Sequence, residues 1–125
     1  MSLETPLHRV QGLGSAHSGV RHFWRERVTA AALIPLSVWF VASAALLGGK
    51  TEAEVAGYLQ HPWNALIMGL FVIVICVHMM LGLQVVIDDY VHHPGQRIAL
   101  LLLNRAFTWV VGGLSLVALA RLAVG

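Results

Sequence analysis

The sequence is short of charge and nearly empty of cysteine. Charged residues make up 11% of its 125 positions, where a soluble globular domain carries about 25%. With 58% hydrophobic residues and a mean hydropathy of +0.75, that deficit excludes an ordinary soluble domain and points to a membrane protein. The single cysteine, Cys76, lies inside an apolar run. It excludes an intrachain disulfide, and alone it cannot hold an iron–sulfur cluster. Nothing in the sequence has the pattern of a flavin or nucleotide site. The basic residues do not cluster with aromatics on a polar domain, so no nucleic-acid partner is expected. The first 27 residues contain no apolar core of the signal-peptide kind, so no cleaved secretory signal is expected either.

What is present is three long apolar runs, over residues 28–47, 64–87 and 98–124, behind a polar N-terminal segment, 1–27. Each is long enough to cross about 30 Å of hydrocarbon, which takes about 20 helical residues. Lipid admits only helices and closed barrels, and three spans cannot close a barrel. The expected fold is an all-α membrane protein with a single three-helix transmembrane domain over 28–125. Between the first two runs, a Gly48-Gly49 stop precedes Thr51 and Glu54, which are spaced as a capping box for a short interfacial helix. His61-Pro62-Trp63 then opens the second helix. The connection after it is expected to turn at Pro94-Gly95. Pro35 is expected to kink the first helix.

The stretch CVHMMLGLQVVIDDYVHH, residues 76–93, carries the chemistry. His78 is the one histidine inside a span. It lies eleven residues, about 16 Å of helix, before Asp89, near mid-bilayer. A charged imidazolium is costly there, so the neutral, metal-ligating form is expected. Three roles fit: a core histidine bonded to a neighbouring helix, a cofactor ligand, or a proton relay. At 100° per residue, His78, Gly82, Val85 and Asp89 share one face. Gly82 either leaves room for a flat macrocycle or permits close helix packing. Asp88 and Asp89 stand where the helix dipole disfavours negative charge. Tyr90 is either an interfacial aromatic or a donor to a ligand's carbonyl oxygen. Arg27 is expected at the depth of Asp89, as its partner or as a partner for a cofactor carboxylate. Asn104, Thr108, Gly112 and Ser115 form a stripe best suited to packing.

HMMLGLQVVIDDY resembles the H-x₃-G-x₆-DY motif of the small hydrophobic membrane-anchor subunits of succinate dehydrogenase. GVRHFWRERVTAAAL resembles the segment leading into that family's first helix, with its R-x-T-A element. The resemblance runs over nearly the whole chain. It implies a complex with a flavoprotein subunit, an iron–sulfur subunit and a second cytochrome b anchor, in a hetero-oligomeric helix bundle. It implies that His78 is an axial ligand of a haem b shared with that second anchor. It also implies that Asp89 and Tyr90 form part of the site where a quinone is reduced, and that Arg27 lies near the haem propionates or the quinone. Arg21 and Arg25 are alternatives for the last role, because RHFWRER departs from the family pattern. Such a chain is not catalytic by itself. The rival readings are a proton-conducting channel or transporter subunit relaying through His78 and Asp89, and a purely structural anchor. A bacterial cytoplasmic membrane is the expected location, with the mitochondrial inner membrane as the alternative.

Orientation follows from the basic residues. Arg9, Arg21, Arg25 and Arg27 precede the first span, Lys50 alone lies between the first two, and Arg97 follows the second. The positive-inside rule puts the N-terminus and Tyr90 on the cytoplasmic side and the C-terminus outside. Reporter fusions at Lys50 and at the C-terminus should both signal the outer compartment. An inner signal at either position contradicts the three-span topology.

Overall fold

The computed structural model describes residues 3–14 and 18–125. Five helices follow in order: α1 Pro6–Gln11, α2 Ser18–Leu47, α3 Glu52–Gln60, α4 Pro62–Tyr90 and α5 Pro94–Val124. Three of them, α2, α4 and α5, are long and apolar enough to cross a membrane. At 1.5 Å per residue each is about 45 Å long, well beyond the hydrocarbon thickness. This excess explains why α2 begins ten residues ahead of the expected span. Apolar runs mark only the part of a helix that lies in lipid, and the polar turns of 18–27 continue the same helix beyond it. α2 also continues unbroken through Pro35.

The connections are short because their ends are capped. Gly49, at φ 79°, ends the α2 turn in a conformation that favours glycine. The capping box forms as expected. Thr51 Oγ1 accepts the Glu54 N–H at 3.3 Å, and the Glu54 carboxylate accepts the Thr51 N–H at 2.8 Å. The Thr51 backbone N–H, followed by its hydroxyl, holds the Glu54 carboxyl below its ordinary pKa. The second connection differs from expectation. Pro94-Gly95 does not make the turn; it is the first turn of α5, with Pro94 at a position where its missing N–H costs nothing. Val91–His93 make the connection instead.

α4 is the central helix, packed against α2 and against α5. On the α2 side, Phe40 and Phe71 stack with centroids 4.8 Å apart. On the α5 side, the expected stripe is a packing face. Asn104 and Thr108 are buried, and the Asn104 Nδ2 donates to the Met80 carbonyl at 2.9 Å. α3 folds back over one end of the bundle, where Tyr58 and Ser43 share a 2.7 Å hydrogen bond and Tyr58 stacks on Trp39.

Gly112 of α5 faces Cys76 of α4. A Cβ there would lie 3.4 Å from Cys76 Sγ, whereas one at Gly113 would meet nothing within 4 Å. Gly112→Leu should therefore destabilise the protein by about 1–3 kcal/mol through overpacking, with Gly113→Leu close to neutral. Thermal unfolding in detergent micelles compares the two. Equal effects would remove Gly112 from the contact.

Candidate functional site

The site is built where α2 and α4 run antiparallel. Thr29 Oγ1 lies 2.9 Å from His78 Nδ1. The same oxygen is 2.7 Å from the Arg25 carbonyl and 3.1 Å from that of Glu26. A threonine hydroxyl has one proton and two lone pairs. The shorter contact, to the Arg25 carbonyl, favours donation along its own helix, with the oxygen accepting from a His78 that carries its proton on Nδ1. The other ring nitrogen, Nε2, is left with its lone pair and no hydrogen-bond partner among the described residues. This is the arrangement by which a neighbouring group fixes the tautomer of a ligating histidine.

Gly82, one turn along α4 on the His78 face, opens onto empty space: an added Cβ there would meet nothing within 4 Å. Of its two readings, close helix packing is therefore not realised within this chain. Among the described residues no three histidine, cysteine or acidic side chains converge on a metal position. A metal at His78 would take a single ligand from this chain.

Asp89 and Tyr90 end α4 together and are exposed, Tyr90 to 78%. Asp89 lines a groove of about 320 Å³ with Gly19, His22, Gln84 and Val85. Arg27 is not at that depth. Thr29 is level with His78, and Arg27 is only two residues, about 3 Å, further along the axis. Asp89 is about 16 Å from His78, and Gly19 and His22 are the α2 residues that reach its groove. The early start of α2 produces this correction. The Arg27 guanidinium instead sits 5.0 Å above the centroid of Phe23. Asp88 is not a free solvated acid: its Oδ1 accepts from Arg97 at 2.6 and 3.1 Å. That pair joins the end of α4 to the start of α5, with the modest strength of a half-exposed ion pair.

Thr29 and Arg97 are the partners that sequence reasoning missed. Thr29 stands in the RVTA stretch, but a bond to a residue 49 positions away leaves no spacing signal.

The comparisons with known proteins place the chain in a family. The model of the succinate dehydrogenase/fumarate reductase transmembrane subunit family matches residues 1–119. The chain belongs to that family. It is 39% identical to the succinate dehydrogenase hydrophobic membrane anchor subunit of Paracoccus denitrificans, over 97% of this chain and 93% of the relative. The subunit of the same description from Rickettsia bellii is 30% identical, over 80% of each chain. The succinate dehydrogenase membrane anchor subunit of Reclinomonas americana is 29% identical, over 70% of this chain and 76% of the relative. No solved structure gives a significant match.

Thr29→Val keeps the side-chain shape and leaves His78 Nδ1 without an acceptor. Unfolding in micelles should become easier by about 0.6–1.7 kcal/mol, the range for a side-chain hydrogen bond between transmembrane helices, and Thr29→Ser should restore most of it. A valine variant as stable as the parent would show that the bond does not form.

Proposed function

We propose that this succinate dehydrogenase-type membrane anchor contributes His78 Nε2 as one axial ligand of a b-type haem, and Asp89 and Tyr90 to a quinone-reduction site. The observation that carries the haem reading is the Thr29–His78 hydrogen bond, with Nε2 unpartnered and open space at Gly82 on the same face. The residues present fit the group. A histidine held at Nδ1 by Thr29 with Nε2 unpartnered suits iron, and a glycine leaves room for a flat ring. When bound, a haem supplies a one-electron redox centre in the bilayer. A second ligand to its iron would come from a partner anchor, since the sequence offers no other midplane histidine.

For the quinone, the chain's own groups do the following. A quinone oxygen gains negative charge on reduction and needs a donor whose bond strengthens as that charge develops. Tyr90, at the exposed end of α4, offers a phenolic O–H for this. Asp89 cannot donate while ionised; it orients a cation or passes on a proton. Electrons reach that end from an iron–sulfur subunit fed by a flavoprotein subunit, in a bacterial cytoplasmic membrane with the Tyr90 end inside. Arg27, about 3 Å from the level of Thr29, is better placed to meet a haem propionate than the quinone. The proton-relay reading has less support. Between His78 and Asp89 the shared face carries Gly82 and Val85, and no hydrogen bond among the described residues links the two.

Two variants of the assembled complex test the reading together. His78→Leu should change the haem's spin state or lower its content in a reduced-minus-oxidised spectrum. Tyr90→Phe should slow quinone reduction roughly ten- to hundred-fold, the scale of a lost hydrogen bond to a charged group at about 1.5–3 kcal/mol. Succinate oxidation with an artificial acceptor that takes electrons upstream should be preserved. An unchanged low-spin spectrum would sink the ligand role, and unchanged quinone reduction would remove Tyr90 from its site.

A further inference from the structure

His22 plays no part in the haem and quinone chemistry described so far. It stands on α2, in the polar turns that continue beyond the apolar run, and shares a groove with Gln84, Val85, Asp88 and Asp89 of α4. Its side chain is 23% exposed, yet the Nε2 atom is buried with no hydrogen-bond partner among the described residues. Its Nδ1 lies 3.8 Å from the Glu26 carboxylate, within ion-pair range but beyond a good hydrogen bond. A histidine kept for packing has its buried nitrogens bonded; this one does not. Nor do His22, Asp88 and Asp89 converge as a metal site.

We propose that His22 supplies protons to Asp89 for quinone reduction. The proposal rests on the quinone reading of Asp89 and Tyr90. Reducing a quinone to a quinol consumes two electrons and two protons. The electrons come from the iron–sulfur subunit. The protons need a carrier that gains and loses them near neutral pH, which is the ordinary range of imidazole. Ionised Asp89 has no proton of its own to give. In the step, an N–H bond of protonated His22 breaks and an O–H bond forms on the Asp89 carboxylate, directly or through one water in the groove of about 320 Å³. That proton then passes to a quinone oxygen as the oxygen gains an electron. The imidazole is left neutral and takes a new proton from the inner compartment. Two such passages, with two electrons, complete the quinol. Charges of both signs face the ring. Glu26 of α2 and Asp88 and Asp89 of α4 are on hand, and Arg21 and Arg25 of α2 and Arg105 of α5 share the cavity on its other side. Asp88 is engaged by Arg97, whereas Asp89 has no ion-pair partner among the described residues, so Asp89 is the acceptor.

The test uses the complex purified with its partner subunits. His22→Gln keeps a polar side chain and removes the titrating one. Its kcat for quinone reduction should fall on the order of a hundred-fold, the lower end of what proton transfer by a placed side chain contributes. KM for quinone, the haem spectrum and succinate oxidation with an upstream acceptor should hold. The solvent deuterium isotope effect on quinone reduction should rise, because proton delivery now limits the rate. His22→Ala, which leaves a space of the right shape, should regain rate as imidazole is added. Unchanged kcat in the glutamine variant, a loss confined to KM, an altered haem spectrum, or an alanine variant deaf to imidazole would each overturn the assignment. Asp89→Asn separates this from failure of the quinone reading. If it slows quinone reduction and His22→Gln does not, the site stands without His22; if neither slows it, the site lies elsewhere and the proposal falls with it.

Discussion

Hydrocarbon offers no hydrogen-bond partner, and the rest of this structure follows from that. Each polar side chain inside a span must find its bond on a helix. Ser115 and Thr108 return to carbonyls one turn back on α5. The others reach across. Thr29–His78 joins α2 to α4, Asn104–Met80 joins α5 to α4, and Ser43–Tyr58 ties α3 to α2. Bonds of this kind average about 0.6 kcal/mol in membranes. Their larger effect is on register, because Leu and Val surfaces slide past one another with little preference and a donor–acceptor pair does not. Two atoms depart from the pattern among the described residues: His22 Nε2 and Asn104 Oδ1 are buried without a partner.

The α2–α4 bond connects packing to chemistry. It sets which residues share a depth, and so decides that Arg27 lies near the His78 level while Gly19 and His22 approach Asp89. It also gives His78 Nδ1 a partner, the Thr29 hydroxyl at 2.9 Å. With Nδ1 so engaged, His78 Nε2 has no hydrogen-bond partner among the described residues.

The chain is a fragment of a larger bundle in its energetics as well as its chemistry. Only Leu59, Phe71 and Leu81 are buried apolar residues among those described, while Ile34, Leu66, Leu83, Leu102, Phe107 and Trp109 are among the many left exposed. Lipid accepts such faces without a penalty, so exposure does not separate lipid from protein neighbours here.

The sequence by itself determined the number of spans, the helix between the first two, the stops at Gly48-Gly49 and Tyr90, and His78 as the unusual residue. Those features depend on local composition: apolar run length, a capping box, a polar group among apolar neighbours. The H-x₃-G-x₆-DY spacing and the RVTA element were enough to point to the family. Tertiary structure alone decided the true length of α2, the role of Pro94 as a helix start, the Asp88–Arg97 pair, the Thr29 partner of His78 and the gathering of Arg21, Arg25 and Arg105. For the last three the information lies between helices. Hydropathy is blind to a polar helix that continues beyond the membrane. Residues 49 or more positions apart become neighbours only when antiparallel helices take a definite register, and that register is chosen by a few polar bonds that no local pattern reveals.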